Sequence, residues 1–330
     1  MEGDSRRTIG GPAAARPATL LRTRLPVLGV PVDFATDDPL LLEAVEAALG
    51  PWRLLDYRAS LVSRLDRPPR IRLLLGEDEP DHDGPFVVRS PLKQRLELHG
   101  PGVRGQADAT SLTAVCTVSP TIMRDRYRFD EQVLGTLTLY LVTRCDRQPF
   151  HAAAITREGR ALLLVGRSGS GKSTLAYAAL RSGWTVLSDD AIYVQTGPVR
   201  RVWARPARLH LPLDVVDRFT ELAARPLVHR ENGRTKLSLE LTGTWLAALR
   251  PLERATLCLL ERDAGAADVR SVDADHAISM VVNDLDEGFD VFRDTIGPAV
   301  RAVVDERALV VRTGSDPLRT MALLGEMQIP

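Results

Sequence analysis

Eight consecutive residues, Gly166-Arg167-Ser168-Gly169-Ser170-Gly171-Lys172-Ser173, carry the clearest chemistry in the chain. Their spacing is that of a Walker A loop, whose backbone N–H groups must turn inward onto anionic oxygens. Glycines at the first, fourth and sixth positions permit dihedrals and close approaches that side chains would forbid. Lys172 is then placed to reach β- and γ-phosphates and Ser173 to ligate Mg²⁺, with Thr174 completing the nucleotide-binding run. An apolar strand over residues 162–165 and a helix over 173–181 flank the loop, and the helix adds its positive end. A chance glycine-rich turn would not require that setting. ATP and Mg²⁺ are the cofactors this pattern calls for.

A second feature lies 17 residues beyond Lys172, where the strand over 184–187 runs into Asp189-Asp190. One of the two carboxylates can serve Mg²⁺, directly or through water. The second can take the proton of an acceptor hydroxyl. A nucleotide switch needs no such base, whereas a phosphotransferase does. An Asp-Asp pair also caps helices and builds turns, and its distance from the loop is what favours the chemical reading.

Lysine usage adds a clue. Of 43 basic residues only Lys93, Lys172 and Lys236 are lysines. A chain that uses arginine for generic charge keeps lysine where a compact, rotatable ammonium is needed. Lys236 follows a turn over 230–234 and is a candidate for stabilising the transferring group, against the plain alternative of an exposed lysine. His151 stands before a hairpin, as a catalytic candidate or a satisfied histidine. The most basic segment, 200–210, offers Arg205, Arg208 and His210 to an acidic peptide or to phosphates, or else is a solvated edge. Glu261 ends an apolar strand and is read as structural.

The segment from His151-Ala152-Ala153-Ala154, through the loop, to Gly183-Trp184-Thr185-Val186-Leu187-Ser188-Asp189-Asp190 resembles the catalytic core of the HPr kinase/phosphorylase family. It looks closest to shorter bacterial relatives, some of which phosphorylate a precursor serine in ribosomal peptide clusters, including those of lasso peptides. The resemblance implies an α/β P-loop kinase domain of the HPr kinase/phosphoenolpyruvate carboxykinase-like type. It also implies Asp189 as base, Asp190 as metal ligand and His151 beside the transferred phosphate. The long signature region that bifunctional members carry after this aspartate pair has no counterpart here.

These residues must be positioned by the surrounding elements. Residues 1–24, rich in Arg, Ala, Gly and Pro, are expected to be a disordered tail. Residues 25–147 are expected to form a small α+β N-terminal domain, a candidate for substrate or leader binding. It would hold a strand over 26–32, edge-like because of its prolines, and a helix after Asp37-Asp38 with a stripe of Leu40, Leu41, Leu42, Val45 and Ala48. Runs at 71–75, 86–88, 95–99 and 112–118 predict a small antiparallel sheet, and 131–145 a helix. Residues 148–330 are expected to be the catalytic domain.

Composition narrows the partners. With 43 basic and 43 acidic residues the chain has no bulk charge to attract nucleic acid or an anionic membrane. Three scattered cysteines make neither a disulfide framework nor a zinc cluster. No run of about 18 apolar residues predicts a membrane span, so a cytoplasmic location is expected. The sequence leaves a homo-oligomer open. Its leading reading is a kinase acting on a hydroxyl, foremost serine of a peptide or protein. A small-alcohol kinase and a nucleotide-gated switch without phosphotransfer stand as alternatives.

Overall fold

Leu21–Val27 (β1) and Val30–Thr36 (β2) pair along their whole length, from Leu21↔Thr36 to Val27↔Val30. The turn between them uses positive φ at Leu28 (49°) and Gly29 (74°), the twist a two-residue hairpin needs. This corrects two expectations. The strand starts inside the stretch expected to be tail, because Arg24 finds Asp33 across the ladder. And the single strand expected over 26–32 is broken by that turn into two. A computed structural model describes residues 20–54, 67–78, 84, 86–90, 94–205, 208–229, 235–241, 250–263, 265–283, 285 and 292–327. Most of the expected tail, Lys93, the turn at 230–234 and the centre of the basic segment therefore lie outside the described residues.

Helix α1 (Pro39–Leu49) starts where Asp38 accepts from the backbone N–H of Leu40 and Leu41. Its buried stripe is Leu41, Ala44, Val45 and Leu49, while Leu40 faces out. The strands β3 (Arg70–Leu75), β4 (Val87–Arg89), β5 (Arg95–Gly100), β6 (Val103–Asp108) and β7 (Thr113–Val118) complete a seven-stranded sheet in the order β1-β2-β3-β7-β6-β5-β4. It is mixed, not antiparallel as expected, since β3 runs parallel to both β2 and β7. The helix α1 fills the crossover that parallel pairing demands. The strand β6 went unread because its apolar positions are only Val103 and Ala107, separated by Gly105.

After the short helix α2 (Pro120–Arg124), a π-helix over Arg128–Gly135 continues into α3 (Thr136–Val142). Phe129, Val133, Leu134, Leu137, Leu141 and Val142 from these helices close the core on one face of the sheet.

The second half is built on a six-stranded sheet whose strands lie, edge to edge, in the order 185–188, 153–157, 160–165, 256–261, 307–312 and 268–273. The small strand β8 (Gln148–Phe150) leads into the hairpin β9 (Ala153–Arg157) and β10 (Arg160–Val165). Helix α4 (Lys172–Arg181) then ends in a Schellman motif: Trp184 N–H donates to Ala179 O and Gly183 N–H to Leu180 O. The strand β11 (Thr185–Ser188) returns antiparallel to β9. The remaining strands are β12 (Ile192–Gln195), β13 (Arg201–Ala204), β14 (Leu209–Leu211), β15 (Leu227–His229), β16 (Thr235–Leu239), β17 (Thr256–Glu261), β18 (Asp268–Asp273) and β19 (Arg307–Arg312). Helices Ala274–Asn283 and Arg293–Arg301 cover one face of the main sheet, and α4 and Pro317–Glu326 the other. Leu163 and Val165 point into one core, Leu162 and Leu164 into the other, so β10 is buried on both sides.

The halves meet at a polar seam with an aromatic centre. Trp203, fully buried, lies in the first half's core, so close to Gly29 that a Cβ there would come within 2.5 Å of the indole. Its Nε1 donates to Gln195 Oε1 at 2.8 Å. The Arg147 guanidinium, also fully buried, stacks 5.1 Å from the Trp203 ring and donates to the carbonyl of Leu28 at 2.7 Å. No helix among the described residues is long and apolar enough to cross a membrane.

Candidate active site

The loop from Gly166 to Gly171 joins the buried end of β10 to the first turn of α4. Gly169 and Gly171 sit at positive φ, 85° and 98°, and a Cβ on Gly166 would come within 3.0 Å of the carbonyl of Leu260. The loop thus folds tightly against β17 at the N-terminus of α4, where first-turn N–H groups have no acceptor within the helix. Lys172 is 7% exposed, and its ammonium donates to the carbonyls of Gly166 (2.5 Å) and Arg167 (3.3 Å). The Ser170 hydroxyl is buried in the loop with no hydrogen-bond partner among the described residues. A lysine turned onto its own loop and an orphaned hydroxyl fit an anion that neither carbonyl can replace.

A cavity of about 730 Å³ opens on this loop. Four separate segments bring chemistry to it. The hairpin strand β9 is preceded by His151, and β11 is followed directly by Asp189 and Asp190. Pairing of β16 with β14 carries Thr235 and Lys236 into the same space, from more than sixty residues along the chain. Beyond β17, Arg262 reaches the wall and donates to Gly169 O at 3.4 Å.

The two aspartates are held differently. Asp189 is 4% exposed and its Oδ2 accepts from the backbone N–H of His210 at 2.8 Å. The Asp190 side chain is 57% exposed, and its Oδ1 lies 3.3 Å from His151 Nε2. One carboxylate is thus fixed by the backbone of β14 and the other is steered by a histidine.

Of the residues singled out in the sequence, Ser168, Gly169, Ser170, Gly171, Lys172, Ser173, Thr174, His151, Asp189, Asp190 and Lys236 line this cavity. Gly166 and Arg167 line a smaller neighbouring cavity of about 400 Å³, which His151 also borders. The basic segment departs from expectation. Arg205 turns away to pair with Glu131 of the π-helix at 2.9 Å, and it joins the halves instead of gripping a ligand. Arg208 is half-buried and is not among the lining residues. His210 acts through its backbone N–H, while its ring meets Tyr127 edge-on. Glu261 is ion-paired with Arg270 and Arg312, in keeping with a structural reading.

The sequence reading missed Arg262 and Arg218. Arg218 lines the cavity and donates to the carbonyl of Ser315 at 3.2 Å. In a chain this rich in arginine, neither had a signal to separate it from the others.

No family model matches this chain, and no curated protein matches it in sequence. Among solved structures, the Hpr(Ser) kinase/phosphatase from Coxiella burnetii is similar over 54% of this chain and 95% of that chain, at 12% identity and a TM-score of 0.27. So slight a likeness carries no argument. The site's own geometry has to carry it.

The donor set can be tested against the implied cofactors. The oxygens of Ser173, Asp189 and Asp190 suit a hard cation such as Mg²⁺. Among the described residues no group of three or more His, Cys, Asp or Glu could hold a metal. A Mg²⁺ ion here would therefore have to share its coordination with phosphate oxygens and water, the usual arrangement in phosphoryl-transfer sites.

Proposed function

We propose that the chain is an ATP-dependent phosphotransferase that moves the γ-phosphoryl group to a hydroxyl, foremost the serine of a peptide or protein. The observation that carries this reading is the convergence of Lys172, Lys236, His151 and both aspartates on one cavity at the mouth of α4. A nucleotide switch would need the loop but not the buried carboxylate and second lysine beside it.

Bound Mg·ATP would supply the transferable group and neutralise charge on its own phosphates. The first-turn N–H groups of α4 and the Lys172 ammonium would hold the β- and γ-phosphates, with Ser173 and Asp190 turned to the metal. Lys236, opposite on β16, would draw charge from the equatorial oxygens as the bond to the leaving oxygen breaks. Asp189 would take the acceptor's hydroxyl proton as the new phosphorus–oxygen bond forms. Its hydrogen bond from His210 N–H keeps the carboxylate in one orientation, which supports this role. His151 would orient Asp190 through their 3.3 Å contact.

That contact also supports a second assignment, in which the more exposed Asp190, paired with His151, is the base and Asp189 serves the metal. Label transfer from γ-labelled ATP to serine peptides separates the two. The isosteric variant Asp189→Asn should lose about 10²-fold or more in transfer while still binding ATP, and Asp190→Asn should instead raise the Mg²⁺ requirement. The reverse pattern exchanges the roles. Label released only as free phosphate, at equal rates in wild type and both variants, would overturn phosphotransfer itself.

A further inference from the structure

The seven-stranded sheet of the first half buries one face on its helices and turns the other outward. On that outer face a groove of about 500 Å³ is framed by four arginines. Cross-strand register sets Arg24, Asp33 and Arg70 in one row and Arg22, Ala35 and Arg72 in the next. On β7, Thr113 and Val115 extend the two rows.

All four arginines are exposed. Arg24 is engaged by Asp33 through hydrogen bonds of 2.5 and 2.9 Å. Arg22, Arg70 and Arg72 have no acidic partner among the described residues. In the second row only Ala35 stands between Arg22 and Arg72, and the exposed Val115 follows beyond Arg72, so nothing acidic separates the two arginines. A chain whose charges cancel overall has no bulk reason to gather in one groove three cations that no acidic side chain among the described residues answers.

We propose that this groove binds an acidic segment of a partner polypeptide in extended conformation. Same-side residues of an extended chain recur about every 6.6 Å, which is also the separation of Arg22 from Arg24 and of Arg70 from Arg72 along their strands. Arg22 and Arg72 stand two strands apart, about 10 Å, enough for one extended chain to lie between them. Carboxylates on that chain would accept forked hydrogen bonds from the guanidinium groups on either side. Ala35 between the two arginines, and Val115 beyond Arg72, suit the aliphatic stems of glutamates.

A single-stranded nucleic acid, the other extended polyanion, fits less well. It binds through aromatic platforms as well as cations. The groove's one aromatic lining residue, Phe34, is 2% exposed and packed into the core. Asp33 at the centre of the first row would also repel an unbroken line of phosphates, whereas a peptide can present a neutral residue there.

The test is a fluorescence-anisotropy titration of the full chain with a labelled decapeptide that carries Glu at every fourth position and Ser elsewhere, so that same-side residues alternate between acidic and neutral. Saturable binding is expected, weakened about tenfold or more by Arg22→Glu or Arg72→Glu and reduced by added salt. Arg89→Glu, on the far edge strand β4, is expected to leave the affinity within about twofold. Circular dichroism of each variant checks that the fold is kept. Three results would overturn the proposal: no saturable binding by the wild type, equal weakening by Arg89→Glu, or an oligothymidylate of the same length binding at least as tightly as the peptide. The groove does not depend on the phosphotransfer reading, and its failure would leave ATP binding and label transfer unchanged.

Discussion

The two halves of this molecule are both built on sheets, yet they use them differently. In the first half β6 and β7 bury every second residue, with one core beneath and an open face above. In the second half β10 and β17 are buried almost without a break, because helices lie on both faces. A sheet sealed on both sides can hold a loop such as Gly166–Gly171 against its end with little freedom, which is what a reacting site needs. A sheet open on one side has a surface to lend. The candidate site lies on the first kind, and arginines without an acidic partner among the described residues lie on the second.

Several interventions would break or sharpen that contrast. The largest effect is expected at the seam, where Trp203 is a fully buried side chain of the second half inside the core of the first. Trp203→Ala should cost about 3–5 kcal/mol. Calorimetry should then resolve separate unfolding of the first half. A single transition with unchanged midpoint would show that the halves are not coupled there. Next comes Lys236→Ala, expected to lower kcat/KM for label transfer by about 10- to 100-fold with little change in stability. An unchanged rate would return Lys236 to the role of a surface lysine.

A smaller effect should stay within the first half. Asp38 caps α1 through the N–H groups of Leu40 and Leu41, and Asp38→Ala should cost about 1 kcal/mol without altering ATP binding. The smallest effect is an expected absence of reaction. Burial raises the Cys116 thiol to about 12 and Cys145 to about 11, and also pushes Cys258 upward. A group whose pKa is raised stays in its protonated form until the pH passes that value, so the nucleophilic thiolates are scarce at neutral pH. Thiol-reactive dyes at about pH 7.5 should leave native protein unlabelled and modify all three cysteines once it is denatured. Fast labelling of Cys116 or Cys145 would show that the first half opens more readily than the second.

How much of this was legible in the sequence follows from the range of each signal. The loop and α4 were readable because glycine spacing, an apolar strand and a terminating Gly183 are all local. Asp189-Asp190 were readable from their distance to Lys172. Lys236 was flagged only by the scarcity of lysine, and the β14–β16 ladder that carries it into the cavity is non-local. The parallel pairing of β2, β3 and β7 was missed for the same reason, since alternation gives the face of a strand but not its neighbour. The seam was illegible. Nothing near Arg147 or Trp203 announces that a buried guanidinium will bind the carbonyl of Leu28, more than a hundred residues away. Arg205 shows the opposite error: a basic run suggested a ligand, and the fold used it to pair with Glu131.

The central claim is that the Gly166–Ser173 loop is a site for nucleotide phosphates, and equilibrium titration tests it most directly. Wild type and Lys172→Ala should be titrated with ATP, ADP and AMP in the presence of Mg²⁺. ATP and ADP are expected to bind at least about 100-fold more tightly than AMP, and Lys172→Ala to lose most of that preference. AMP binding as tightly as ATP, or a lysine variant that keeps full ATP affinity, would contradict the account.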